Sequence, residues 1–400
     1  MRIAYILEKF PTQTEYFILN EIIELERSGF EIIIFVLKKQ IRFINLPEIK
    51  NLKSTIVYLP KIYYYFPLIV CFRFFFSIFR SPFLGVIPAK INLIKLLKSI
   101  KYYSISLYFT QSKITYNHIH AHFAFISTDI AFYISKLKKI KFSFTVHAQD
   151  IFLNLKDLPE KIEKASFVIT CTKYNKEYIN NLTNYHFNEK IFHVYHGINL
   201  QKWENVNITK KNNLKSISIL SIARLIEKKG LIYLLKAIKE LKNRKEEVNC
   251  LIIGEGFLKN KLKKFINDNQ LQGNVKIEPY LSQAELKQYY SIADIFVLPS
   301  IIASNGDRDG IPNVILEAMA SATPVISTNI SAIGELIKNN ENGILVPEKD
   351  SISLANAIQY LKSDLNLYNK IIENGINTIY KHFLSEKSTN KLKKIFETCI

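Results

Sequence analysis

Short apolar runs alternate with helix-like stretches along the whole of the 400-residue chain. In the first half, RIAYIL (2–7), EIIIFVL (31–37), STIVYL (54–59), HIHAHF (118–123), KFSFTVH (141–147), FVITCT (167–172) and IFHVYH (191–196) read as strands. Helical patterns lie between several of them, such as Glu15–Ser28, which Gly29 closes as a C-cap. The pattern starts afresh with SISILSIA (216–223), CLIIGEG (250–256), NVKIEPY (274–280), DIFVLPS (294–300) and TPVIST (323–328). Between the two halves, QKWENVNITKKNNLK (201–215) has the polar, Asn- and Lys-rich character of a linker. Strands alternating with helices predict an α/β protein of two doubly wound, Rossmann-like domains, 1–200 and 201–400. The last helix is free to pack back on the first domain.

The segment DRDGIPNVILEAMA (307–320) places Asp309 eight residues before Glu317, with Gly310 and Pro312 between them. Pro312 suits a first helical turn, and Val314, Ile315, Ala318 and Met319 supply a buried face, so Asp309 falls in a loop and Glu317 about one turn into a helix. The strand before it makes the unit strand, acidic loop, helix. In open α/β sheets such carboxyl ends gather ligands, because helix N-termini offer unpaired N–H groups and partial positive charge to an anion.

Composition narrows the classes. With 48% hydrophobic residues there is material for two cores. Cys71, Cys171, Cys250 and Cys399 lie far apart without paired spacing, which argues against a disulfide framework or a zinc site and for a reducing compartment. MRIAYILEKFP carries too short an apolar run for a signal peptide. The net charge of +19 is unevenly placed: residues 38–141 hold 17 Lys and Arg against only Glu48 and Asp129. Within them lies IYYYFPLIVCFRFFFSIF (62–79), broken by Pro67 and Arg73. A charge in its second half disfavours a spanning helix. With Lys61, Arg80 and Lys90 around it, the stretch suits an anionic membrane interface, the competing reading being a core helix with a solvated basic flank. No nucleic-acid module appears, so a nucleic-acid partner is not expected.

Several motifs in order resemble the retaining, two-domain (GT-B) glycosyltransferases of glycosyltransferase family 4, in particular the bacterial exopolysaccharide branch with colanic-acid-type transferases. They are FPTQTEYFILNEI (10–22), HIHAHFAFISTDIA (118–131), FTVHAQDIF (144–152), VYHGINL (194–200), SIARLIEKKGLIYLLKAI (221–238), LIIGEGFLKNKL (251–262), the 307–328 segment and GELIKNNENGILVPEKD (334–350). The resemblance implies the GT-B fold, two Rossmann-like domains facing across a cleft, and sugar transfer from a nucleotide-sugar without a protein-bound cofactor or metal. It implies that Arg224 and Lys229 clamp the donor diphosphate, that Asp309 with Gly310, Ile311 and Pro312 reads the donor sugar and diphosphate, and that Glu317 binds the ribose. Asn313, Gly254, Glu255, Tyr280 and Leu281 join them on the donor side. His147 faces the donor sugar or the acceptor, and Thr12, Gln13, Asp150 and Asn199 lie toward the acceptor. The implied acceptor is a polyprenyl-diphosphate-linked saccharide at an anionic membrane surface, which places the protein in the cytoplasm, peripheral on the inner face of the cytoplasmic membrane. Two departures stand out: the turn after the first strand lacks glycine, and Asp309 stands where most of the wider family has Glu, shortening the reach by one methylene.

Competing readings carry less. His118, His120 and His122 share one strand face and mimic a metal cluster, but no acidic or Cys partner is evident in sequence, so the strand is expected to line the cleft. Asp307-Arg-Asp309 has Asp-x-Asp spacing, which the resemblance assigns to sugar recognition. GEG after a strand suggests a dinucleotide fold, yet the third glycine of the fingerprint falls on Lys259. A non-catalytic, nucleotide-sugar-binding scaffold of a polysaccharide assembly complex is the alternative function.

Overall fold

The computed structural model describes residues 1–12, 15–40, 47–61, 93–153, 157–200, 203 and 216–400. Gln13, the 62–79 stretch with Arg73, Arg80 and Lys90, and the 201–215 linker apart from Trp203 therefore lie outside the described residues.

Two parallel sheets form the frame. The first holds β1 (Arg2–Phe10), β2 (Glu31–Lys39), β3 (Thr55–Tyr58), β4 (His118–His122), β5 (Phe142–Val146), β6 (Val168–Thr170) and β7 (Ile191–His193), in the order β3-β2-β1-β4-β5-β6-β7. The second holds β8 (Ile217–Ile222), β9 (Val248–Ile253), β10 (Val275–Glu278), β11 (Ile295–Leu298), β12 (Val325–Thr328) and β13 (Ile344–Val346), in the order β10-β9-β8-β11-β12-β13. Every strand read from sequence is present. β13 was not read as one, because its three residues lie inside GILVPEKD, too short a run to show a period.

Both sheets are doubly wound, and the strand order reverses between β1 and β4 in the first and between β8 and β11 in the second. Those switch points open a crevice at the carboxyl ends of the strands, and in this chain the two crevices face each other. Apolar residues fill both faces of each sheet. One core surrounds β8, β9 and β11, while two cores cover the faces of the first sheet.

The domains are linked twice. After β7 the chain passes Gly197 and enters the second domain, and it returns at Leu384 so that the last helix, Ser385–Cys399, covers the first sheet. Leu392, Ile395 and Phe396 of this helix belong to the same core as Ile3, Tyr5 and Ile22. Where the passes cross, Ile198 N–H donates to the Phe383 carbonyl (2.8 Å) and Ser385 N–H to the Ile198 carbonyl (3.0 Å). Gly197 sits at that crossing because a Cβ on it would stand 2.3 Å from the Ser385 Cα. Backbone cannot retreat as a flexible side chain would. Gly197→Ala is therefore expected to cost about 1–3 kcal/mol in urea unfolding. Gly273→Ala, where a Cβ meets nothing within 4 Å, is expected to stay within about 0.5 kcal/mol of the parent.

Candidate functional site

The second domain builds its side of the cleft by joining the loops after β8 and β11. β8 leads to Arg224, and the short turn Glu227–Lys229 ends on Gly230 at a φ of +62°. A side chain is excluded there, since a Cβ would meet the Pro299 carbonyl oxygen at 1.8 Å. That approach lets Ile301 N–H donate to the Lys228 carbonyl at 2.8 Å. Two lysines then cross to the acidic loop. Lys229 Nζ lies 2.7 Å from Asp309 Oδ2, and Lys228 Nζ lies 2.9 Å from Asp307 Oδ1 and 3.4 Å from Asp309 Oδ1. The Ser300 hydroxyl donates to Asp309 at 3.1 Å. Burial pushes the Asp309 carboxyl up, but Lys229 and Lys228 outweigh it and hold it down at about 2. Asp309 is thus an ionised anchor for two lysines.

Beyond this cluster the helix Asn313–Ala320 begins. Pro312 is its N-cap, one position before the first turn expected from sequence, and no side chain caps the helix. Ile315 N–H turns back to the Pro312 carbonyl at 3.0 Å, and a helix start without a side-chain cap suits an anion at its other amides. Four residues in, Glu317 accepts a hydrogen bond from the Tyr290 hydroxyl at 2.9 Å. Burial raises its carboxyl to about 7, against the lowering effect of Tyr290. Arg224 is exposed at the cleft mouth. Tyr280 and Leu281, after β10, complete this wall.

The first domain supplies the facing wall from the ends of its own strands. The His147 ring packs between Phe123 (4.2 Å between centroids) and Phe17 (5.1 Å) and stacks on His196 at 5.4 Å. Phe123 holds a φ of +69°, rare for a bulky side chain, and is kept there by its N–H to Thr145 and by the Ser127 and Thr128 hydroxyls on its carbonyl. Burial and then the neighbouring histidines push His147 well below the usual range, so its ring is neutral. Together the walls enclose a cavity of about 310 Å³.

Of the residues read from sequence, Arg224, Lys229, Asp309, His147, Glu317, Gly310, Ile311, Pro312, Asn313, Tyr280 and Leu281 all line this cavity. Gly254 and Glu255 do not. Gly254 lets its loop pack on Ala223, whose carbonyl oxygen a Cβ would meet at 1.9 Å, and the Glu255 carbonyl accepts from Leu225 N–H. Asp150 also points inward, bracing two loops by accepting from Ala124 N–H (2.8 Å) and His147 N–H (3.1 Å), and burial raises it to about 7. At the β1 turn the cavity meets Glu15, Tyr16 and Phe17 rather than Thr12, and Asn199 borders an adjoining recess with Asn313 and Glu317.

The histidine strand departs from expectation. His118 and His120 are buried under the last helix and hydrogen-bond Ser143 and Thr145, so they do not line the cleft. An acidic partner does exist: Glu21 reaches His122 at 3.2 Å. Among the described residues, two groups have ligand atoms within 4.8 Å of one another and could hold a metal, Glu21 with His120 and His122, and His147 with Cys171 and His196. Neither was visible in sequence, because each gathers residues from separate elements. Lys228, Phe17, Phe123, Asn175 and His196 are further cavity residues that the sequence reading missed. KK before Gly230 was the one signal available, since it offered Lys228 beside Lys229.

The Glu317 carboxyl yields a stability test. Its value rises from an ordinary 4.5 to about 7 on folding. The folded chain therefore binds more protons between those limits, and the contribution is full below about 4.5 and lost as pH climbs to about 7. Glu317→Gln lacks that slope. Relative to the parent, its unfolding free energy should rise between pH 4.5 and 7 by at most about 3 kcal/mol and then level off, as followed by urea denaturation across pH.

Comparison with known proteins fits this geometry. Residues 201–378 match the family model described as glycosyl transferases group 1. The amylovoran biosynthesis glycosyltransferase AmsK of Erwinia amylovora is 42% identical over 165 residues, 38% of this chain and 40% of that protein. The putative colanic acid biosynthesis glycosyltransferase WcaL of Escherichia coli is 39% identical over 139 residues, 35% of this chain and 34% of that one. The chain thus matches 40% of the length of the first of these relatives and 34% of the second. Anabaena HepE, solved with UDP and glucose, superposes over 100% of both chains with a TM-score of 0.72 at 15% identity. The chain has the two-domain GT-B fold, and residues 201–378 carry the group 1 glycosyl transferase match.

Proposed function

We propose that this protein is a retaining glycosyltransferase of family 4 that moves a sugar from a nucleoside-diphosphate sugar to a lipid-linked saccharide in cell-surface polysaccharide biosynthesis. The observation that carries the reading is the cluster of Arg224, the Lys229–Asp309 pair and an uncapped helix start on one wall of the interdomain cleft. As the glycosidic bond breaks, charge grows on the leaving phosphate, and fixed positive groups aimed at it lower the barrier. Lys229 has three donors, and Asp309 engages one of them, leaving the others for phosphate oxygen. These groups do the work of charge neutralisation without requiring a metal. Glu317 accepts from the ribose hydroxyls in its ionised form. Asp309 is committed to two lysines and is a poor nucleophile, which suits transfer on one face with the departing phosphate assisting the acceptor. His147, neutral, has both ring nitrogens engaged, Nε2 with His122 (3.3 Å) and Nδ1 with Cys171 (3.4 Å), and borders the place where the sugar meets the acceptor.

The relatives named for amylovoran and colanic acid biosynthesis support a polysaccharide pathway. The membrane part of the reading rests on the basic aromatic stretch at 62–79 and on the described helix Leu93–Thr110, which exposes Leu96 (38%), Leu97 (37%) and Tyr103 (43%) beside Lys98. No helix among the described residues is long and apolar enough to cross a membrane. An anionic inner leaflet that binds these groups would hold a polyprenyl-linked acceptor at the cleft.

Purified protein incubated with UDP-, GDP- and ADP-sugars should release nucleoside diphosphate from one of them, and Arg224→Ala or Lys229→Ala should slow turnover about 100-fold or more. Near-parental turnover in both variants would remove these residues from the mechanism. Activity should survive EDTA, whereas complete loss rescued by added metal would overturn metal independence. Binding to vesicles with anionic lipid should weaken with salt, and glutamates at Arg73, Arg80 and Lys90 should abolish it while donor hydrolysis persists.

A further inference from the structure

Asn175 is the third residue of the helix Lys173–Leu182, at the end of the strand next to the one that delivers His147. Its backbone N–H is satisfied by the Thr172 hydroxyl at 3.0 Å. Its side chain is only 1% exposed, yet neither the amide oxygen nor the amide nitrogen has a hydrogen-bond partner among the described residues. Asn175 is one of the residues that line the interdomain cavity, and its amide nitrogen lies 4.0 Å from where a Cβ on Gly310 would sit. A buried amide with both ends unpaired is costly, and such groups in native proteins call for an explanation.

We propose that Asn175 is a specificity-determining residue for the transferred sugar, its amide pairing with two neighbouring hydroxyls of the donor hexose. This rests on the glycosyl-transfer reading above. The amide offers an acceptor oxygen and two N–H donors about as far apart as adjacent ring hydroxyls, each of which both donates and accepts. Its neighbour across the cleft is Gly310 of the donor loop, whose missing side chain keeps the approach to the amide open, since a Cβ there would stand 3.5 Å from Thr172 and 4.0 Å from the amide nitrogen. The amide is also held in register with that loop. Glu335, from the second domain, accepts from the N–H groups of Lys173 (3.0 Å) and Tyr174 (2.6 Å), and so fixes the start of the helix that carries Asn175. A site built to pair hydroxyls rejects analogues that lack them.

The test measures, by calorimetry, the gain in affinity that the sugar adds: the ratio of dissociation constants for UDP, GDP and ADP to those for their hexose conjugates, in the parent, Asn175→Ala and Asn175→Leu. The parent should bind at least one conjugate, and both variants should lose about 10-fold or more of the sugar's contribution with nucleoside diphosphate affinity unchanged. Asn175→Leu should hold or raise Tm, because it removes an unpaired buried amide. A sugar contribution that survives in both variants overturns the proposal, as does a lowered Tm with that contribution intact, which marks a structural role. A shift confined to the KM of the acceptor also overturns it, placing the amide on the acceptor instead. A parent that binds none of the conjugates overturns the glycosyl-transfer reading itself, a result distinct from the others.

Discussion

The pair formed by Lys229 and Asp309 governs how the second domain presents its cleft. Each ion loses several kcal/mol of hydration when buried, and the pair is tolerable only because the carboxylate is also met by Lys228 and Ser300. Removing either partner would strand a charge in a dry site. That constraint ties the loop after β8 to the loop after β11, the two strands between which the sheet order reverses. The lysine is therefore in place before any phosphate arrives, and little reorganisation remains for the reacting state. Lys228 and Asp307 extend the cluster so that two cations face two anions. Arg224 is left as the exposed positive group, which suits it to meet an incoming anion first.

The same principle operates between the domains with different atoms. Glu335 places a carboxylate at the start of the helix Lys173–Leu182, where unpaired N–H groups and the helix dipole favour negative charge, and it also accepts from the Tyr195 hydroxyl at 2.7 Å. Three donors from the first domain thus converge on one acid of the second. Any opening of the cleft at this point has to break these bonds. The contact sets the width of the gap between the Gly310 loop and the opposite wall.

Sequence made the frame legible because parallel strands buried on both faces leave unbroken apolar runs, and twelve such runs stood clear of their neighbours. It also exposed the donor wall, since Arg224, Lys229, Asp309 and Glu317 lie in compact local motifs whose chemistry is visible residue by residue. The facing wall was less legible. Asn175, Phe123, His196 and Glu335 act through partners far away in the chain, and nothing in KYNKEYI or AIGELI separates a cleft residue from an ordinary helix start. Asp150 shows the reverse error: an acid in a motif, beside a histidine of the cleft, that turns inward to hold backbone. Local spacing identifies which chemistry is available, but the direction of a side chain is decided by what packs behind it.

The histidines of the first domain carry this argument further. His118, His120 and His122 alternate along β4 on one face, and His147 follows β5 next to them, so all four begin as similar strand residues. The last helix divides them. Phe396 packs edge-on against His118 and His120 and closes them off with Phe167, leaving Ser143 and Thr145 as hydrogen-bond partners. Burial lowers His118 to about 3 and His120 well below its ordinary value, so both are neutral parts of a polar core. His147 lies one residue beyond its strand, past the reach of that helix, and meets the cavity instead. A helix that begins at residue 385 therefore helps decide which imidazoles of the first domain belong to the core and which face the cleft. The two domains share their chain ends because the first sheet cannot be covered without the last helix, and this covering places the cleft where the switch points of both sheets meet.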